Sequence, residues 1–479
     1  MSFEEGPRRE RSIGIKKVFP QEEKPDNFQI EKLEEEQNVP VVKTKGISYW
    51  TAFTNFIRTL LGVGCLALPI ALKQSGWLAG LILIFLFGLL NAHCMLILVQ
   101  SAHYLSRKKG GGRLEFGQVA LEACTNSFDF LKKYGPAFKI VVNVSIIGLQ
   151  MGVASVYYVF VTVHFKEVVE QYTNIRLSET VWLLLMFVPF VLVNCLRTLK
   201  VIGVLSGLGN IIMCGCLAII FQHLIRQPHL SISNFPPVNS LDEMLTASGA
   251  ILYAYEGLVV VLPLENKLKK PSQMLGVTGV VSTGMSTVTV IYALCGFLGL
   301  ITYGEKVKGS IALNLPEDLI FSIVRGLLGL VIFTGFAIQQ YVVIEVTLPA
   351  VKNYFLKLLN PPENSRKLQI FSSIIDFGHR VFLVFICMIV GITIPQLENI
   401  IPLVGITCGM LLAFVFPAVI EILVFLPTLI EKFKGSSKGK KWCLGTKITI
   451  MVIKDLFLTC LGMFGLVAGL QASIKDLVK

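Results

Sequence analysis

The sequence predicts an all-α polytopic membrane protein of eleven transmembrane helices in two inverted five-helix repeats, with helices 1 and 6 discontinuous. Three observations predict it. Of 479 residues, 53% are hydrophobic and 15% charged, against about 25% charged in a soluble domain, and the mean hydropathy is +0.68. Apolar runs able to cross a bilayer, about 20 residues each, recur along most of the chain. Two of them, five spans apart, carry glycine near their middle followed by Leu-Pro. A β-barrel would instead show alternating segments of about ten residues.

Residues 1–46 are polar, mixed in charge and without the basic–apolar–small order of a signal peptide, so they read as a disordered cytosolic tail open to a signalling partner. Spans follow near 48–73, 77–104, 136–164, 179–196, 201–225, 244–267, 273–302, 318–351, 378–395, 398–426 and 448–471. The first repeat holds helices 1–5 (48–225), within a half that runs over 47–267 to include the start of helix 6. The second repeat covers 244–426 and helices 6–10, then come a basic cytosolic loop at 427–447 and, over 448–479, helix 11 with a short outer tail.

Charge placement orients the chain. With the N-terminus inside, 21 Lys and Arg fall in the cytosolic loops between spans, against seven or eight outside. The positive-inside rule then puts the C-terminus on the extracellular or lumenal side. The net charge of +12 sits in these short loop clusters and not along one continuous face, which argues against nucleic acid as a partner. Between spans 2 and 3, Phe116, Val119, Ala120, Ala123 and Cys124 recur at helical spacing. They predict an amphipathic helix on the cytosolic face, beside the basic run 107–113, which could meet acidic lipid. The 11 cysteines form no CxxC pair and lie in apolar runs or cytosolic loops, so neither a metal site nor a disulfide scaffold is expected.

The chemistry is carried by the two interruptions. Span 1 reads GVGCLALP at 62–69 and span 6 reads YAYEGLVVVLP at 253–263. An odd number of spans per unit inverts the second relative to the first, a pattern of secondary transporters. The alternative is that the glycines only allow close helix packing. Where a helix breaks, amides at the N-terminus of its second half carry about half a positive charge and can hold a carboxylate. Gly62, Val63 and Gly64 would supply these. Carbonyls freed around Tyr253, Tyr255, Glu256 and Gly257 would accept from an ammonium group. A site offering both suits an amino acid. Glu256 is an acidic residue near mid-span and is functional by default; it could bind the ammonium directly or carry a coupling proton. Asn55, Gln150, Tyr157, Gln339 and Gln340 are candidates for lining the cavity. Arg58, paired with Glu265 or Glu345, would close an inner gate, with snorkelling to the interface as the alternative.

At this point the chain resembles the amino acid/auxin permease superfamily and, within it, the proton-coupled amino acid transporter family (solute carrier family 36). The resemblance runs from about residue 48 to 470 through GVGCLALPIALKQSGW (62–77), HCMLILVQSAHYL (93–105), GVASVYYVFV (152–161), ILYAYEGLVVVLPLENKLKKP (251–271), KGSIALNLPED (308–318) and the IP…E pattern from Ile394 to Glu421. It implies the LeuT-like inverted-repeat fold and alternating-access symport of small neutral amino acids with protons, at the plasma membrane or the lysosomal or endosomal membrane, with no cofactor besides the coupling ion. The family's histidine seven residues before GxG is here Asn55, which cannot titrate, and the loops 165–178, 226–243 and 303–317 lack the cysteines of its outer disulfide. A facilitative carrier and an amino acid sensor are the alternative readings. An enzyme is not expected: the chain has no HExxH, no GxSG and no paired membrane aspartates.

Overall fold

The computed structural model describes residues 46–195, 199–359, 366–394 and 396–478. The predicted tail and its signalling partner lie outside these residues, apart from Gly46. Fifteen α-helices follow one another: α1 Tyr49–Leu60, α2 Val63–Ser75, α3 Trp77–Lys108, α4 Phe116–Thr125, α5 Gly135–Tyr172, α6 Glu179–Asn194, α7 Leu199–Arg226, α8 Leu241–Ala254, α9 Leu258–Lys267, α10 Val280–Tyr303, α11 Leu319–Leu359, α12 Arg366–Thr393, α13 Leu397–Val404, α14 Phe416–Gly435 and α15 Lys438–Val478. Among the described residues no strand forms, only an isolated parallel bridge between Ile47 and Leu268.

Nine helical stretches are long and apolar enough to cross a membrane, ten with the bent pair α1–α2. The predicted count of eleven is not reached on length: α6 has 16 residues, about 24 Å at 1.5 Å per residue, short of a ~30 Å hydrocarbon core. Leu184, Leu185, Val188 and Leu192 nevertheless lie exposed along α6, as do Ile82 and Leu89 on α3 and Ile453, Phe457, Phe464 and Val467 on α15. So much outward apolar surface on long helices is stable only against lipid. The protein is a multi-pass integral membrane protein.

The expected discontinuities are present. Helices α1 and α2 meet at 48° across Leu61–Gly62, and α8 is separated from α9 by Tyr255, Glu256 and Gly257. Sequence-local caps start several helices: Ser48 and Ser178 accept from the amides of Thr51 and Val181, and Ser240 with Glu243 forms a capping box on α8. Two close approaches then fix the centre. A Cβ on Gly64 would stand 2.5 Å from the Ala254 Cα, and one on Gly405 would overlap the Gly249 carbonyl oxygen. Helix α8 is thus held between α2 and the stretch after α13, with backbones in contact. That stretch is two successive π-helical turns, 405–409 and 411–415, before α14.

The amphipathic helix is α4, but its apolar face is not spread on a membrane surface. Phe116, Val119, Ala120, Ala123 and Cys124 are buried in protein, because α4 packs on α5 and α14. The loops rich in Lys and Arg (107–113, 267–270, 432–441) share one end of the bundle, called here the basic end.

Candidate functional site

The first break is made by the backbone of Leu61 (φ −76°, ψ 85°) and Gly62 (φ −141°, ψ −150°). No side chain caps the amide end of α2, so Val63 and Gly64 open a half-helix whose partial positive charge faces inward. The Tyr157 hydroxyl stands over this point, 3.7 Å from where a Gly62 Cβ would be. Gly64 faces Ala254, so its lack of a side chain serves helix contact.

At the second break the freed carbonyls are partly claimed by protein. The Tyr255 carbonyl accepts from Asn91 Nδ2 at 3.1 Å and from the Gly257 amide at 2.7 Å. The Ala254 carbonyl lies 2.6 Å from the Tyr292 hydroxyl, which is also 2.5 Å from the Leu60 carbonyl. One hydroxyl has one proton, so it serves one carbonyl at a time while holding both broken ends at one point. Gly257 brings the breaks together further: a Cβ there would meet Leu60 and Met95. The Tyr255 side chain turns away, its hydroxyl 3.0 Å from both the Ile84 carbonyl and the Thr289 hydroxyl.

Glu256 is partly exposed to a small central cavity. It accepts from Gln150 Nε2 at 3.4 Å, a long bond. The cavity is lined by Asn91, Leu149, Leu252, Tyr253, Glu256 and Ala413 among others, and its free space is about 20 Å³, room for about one water. Three buried polar atoms around it lack a partner: Asn91 Oδ1, Gln150 Oε1 and Tyr253 Oη. Leaving such a group unpaired costs about 1–3 kcal/mol each, so the site is short of a polar occupant. Two are acceptors and the hydroxyl can donate.

The other sequence candidates divide. Gln339 bonds the Tyr157 hydroxyl and so joins the first break. Gln340 does not: it is fully buried and donates to Cys387 Sγ on α12 at 3.2 Å. Asn55 is half-buried two turns before the break. The residues expected at an inner gate differ in their surroundings. Glu265 is buried and sits 2.9 Å from His103 Nε2 of α3, and Glu345 is exposed. Arg58 is half-buried, within electrostatic reach of Tyr157. Asn91 and Tyr292 escaped the sequence reading. Asn91 is an amide in the apolar middle of its span, a signal that could have been used; nothing marks Tyr292.

Both ends of the site are shut. At the basic end the Ile47 amide donates to the Lys267 carbonyl and Lys269 donates back to Ile47 (2.8 and 3.1 Å), while the Tyr49 hydroxyl reaches the Thr278 carbonyl and Thr283 Oγ1. These bonds fasten the start of α1 to the ends of α9 and α10. At the opposite end Asn239 donates to the carbonyls of Lys73 and Gln74, and Lys73 pairs with Glu305 at 3.0 Å. The cavity is occluded.

Broken helices around a shut, polar-poor cavity are transporter architecture, and sequence comparison decides the family. The model of the family described as "Transmembrane amino acid transporter protein" matches residues 45–474. The chain belongs to this family. It is a family of membrane transporters and not of enzymes. Among curated proteins, the chain is 28% identical over 432 residues to the Drosophila melanogaster "Proton-coupled amino acid transporter-like protein pathetic", covering 89% of this chain and 84% of that one. It is 28% identical over 426 residues to the Caenorhabditis elegans "Probable amino acid transporter skat-1", covering 88% of each. Among solved structures, a manganese transporter of Eremococcus coleocola is 10% identical with a TM-score of 0.47, covering 90% of this chain and 99% of the other, too distant to bear on function.

Proposed function

We propose that this transporter carries small neutral amino acids by alternating access, in symport with protons. The observation that carries the reading is the meeting of two helix breaks at the Tyr292 hydroxyl, beside a small cavity that the second break lines and that holds unpartnered polar atoms. The uncapped amides of α2 suit the substrate carboxylate. Glu256, Gln150 Oε1 and Asn91 Oδ1 suit the ammonium. Leu149, Leu252, Leu258, Val259, Leu412 and Ala413 complete the lining, and an apolar wall rejects a charged side chain, whose burial is costly. Because the free space is about 20 Å³, binding requires the walls to part, and the latches at the two ends are the contacts that must open in turn. By the positive-inside rule the basic end is cytosolic, which fits the plasma membrane or a lysosomal or endosomal membrane.

Asn55, half-buried in α1, favours a second reading, a facilitative carrier, since it cannot exchange a proton. The test is counterflow and net uptake of radiolabelled amino acids by the purified protein in liposomes, at two external pH values. Trans-stimulated exchange of small neutral amino acids is expected. Specific binding without flux would instead make the protein a sensor, and exchange unaffected by a pH gradient would make it facilitative.

A further inference from the structure

A second buried polar cluster lies outside the central site. On α15, Lys454 Nζ is 2.5 Å from Glu421 Oε2 of α14 and 3.2 Å from Asp455 Oδ1. Asp455 is fully buried, yet apart from that Lys454 contact neither of its carboxyl oxygens has a well-formed hydrogen bond. Two carboxylates thus share one ammonium group. One acid is balanced by Lys454, and the other is left uncompensated inside a membrane protein, where an unpaired charge is expensive. The titratable groups facing Asp455 from the helices around it are Glu421, Lys454 and, on α3, Cys94. His93 of α3 faces Lys454 and Glu421, and its Nε2 is buried without a partner.

We propose that the Glu421–Lys454–Asp455 cluster is a proton-binding site of the transport cycle, one proton neutralising the carboxylate that Lys454 leaves unbalanced. The step is an acid–base reaction alone: a carboxylate oxygen takes a proton from water on one side and returns it to water on the other. This rests on the carrier function proposed above and places its coupling ion away from Asn55.

Two structural links connect the cluster to the substrate cavity. Asn91, which holds the Tyr255 carbonyl at the second break, precedes His93 by two residues on α3. Ala413, in the cavity wall, precedes Glu421 by eight residues, about 12 Å along a helix. Between Ala413 and Glu421 the second π turn ends. Each π turn holds an extra residue, and resolving one into α-helix rotates all that follows by about 100°. That is a discrete two-state element through which protonation at Glu421 or Asp455 can move the cavity wall. An access route is also present: an open groove of about 420 Å³ on the surface of α15 reaches from Trp442 and Lys447 at the basic end to Met451 and Lys454.

The test uses the full chain in liposomes with glycine, L-alanine, L-serine and L-proline as probes. With one proton per substrate, an outside-acid gradient drives about tenfold accumulation per pH unit. Wild type is expected to accumulate substrate, while Asp455→Asn and Glu421→Gln fall to an inside-to-outside ratio of one with counterflow slowed but persisting. Gradient-driven accumulation intact in both variants overturns the proposal, as does its loss in Glu256→Gln alone. Wild-type counterflow without accumulation overturns it too, while leaving an amino acid carrier in place; wild type without counterflow removes the carrier reading and the proposal with it. Should the variants fail to fold, dicyclohexylcarbodiimide on the wild type decides, since it attacks protonated buried carboxyls. A mass-mapped adduct on Asp455 or Glu421 that abolishes accumulation but spares counterflow supports the site. Accumulation undiminished with neither residue modified overturns it.

Discussion

Single atoms set the terms of this site. The Tyr292 hydroxyl spans the Leu60 and Ala254 carbonyls, so Tyr292→Phe leaves the Ala254 carbonyl buried without its hydroxyl donor. A buried unsatisfied carbonyl costs about 1–3 kcal/mol. Because the Leu60 carbonyl still accepts from the Gly62 amide, the cost falls on the Ala254 carbonyl alone, and the variant is expected to melt at lower temperature than wild type and to transport slowly, checked by thermal unfolding in detergent and by counterflow in liposomes. Glu256 offers a different test. Its bond to Gln150 is long, which leaves it available to an ammonium group. A hydrogen bond to a charged partner is worth about 1.5–3 kcal/mol, so Glu256→Gln is expected to raise the half-saturating substrate concentration about 10- to 100-fold while the fold is kept. An unchanged value in an uptake titration would take Glu256 out of the substrate's reach.

At the scale of helices, close approach matters more than side-chain size. Helix α8 touches the π-helical turns backbone to backbone at Gly249 and Gly405, so Gly405→Ala drives a methyl group into the Gly249 carbonyl. Overpacking of this kind costs about 1–3 kcal/mol. Lower yield of monodisperse protein and a lower melting temperature are expected, and wild-type values would mean the two segments are free to separate. The same scale explains what the sequence revealed. Gly62 and the Tyr253–Gly257 segment were legible because a break needs glycine and each break here is followed by Leu-Pro in a matching place. Gln340 was not: neighbours on a helix point about 100° apart, and a span apolar on all sides gives no periodicity to tell which of Gln339 and Gln340 faces inward. The pairing of Glu265 with His103 was hidden for a related reason, since the two lie 162 residues apart in sequence. The π turns leave no sequence mark of their own, and α4 shows the right period without saying whether protein or lipid covers it.

At the scale of the whole molecule, orientation decides which latch faces which compartment, and three exposed cysteines make it measurable. Cys214, Cys443 and Cys460 are exposed, but they differ in what covers them. Cys214 and Cys460 lie well inside α7 and α15, whose outward faces carry exposed Ile211, Phe457 and Phe464. A thiol covered by lipid lies out of reach of a water-borne, membrane-impermeant reagent. Cys443 lies exposed near the start of α15 among Lys440, Lys441 and Lys447, charged neighbours that belong in water and not in lipid. If the basic end is cytosolic, a membrane-impermeant maleimide labels Cys443 in inside-out vesicles and not in right-side-out ones, with Cys443→Ser removing the signal. Labelling of Cys443 only from the outer face would invert the topology. It would then assign the Ile47 and Tyr49 latch to the outer gate and the Lys73–Glu305 pair to the inner one, and open the 420 Å³ groove beside Lys454 toward the external side.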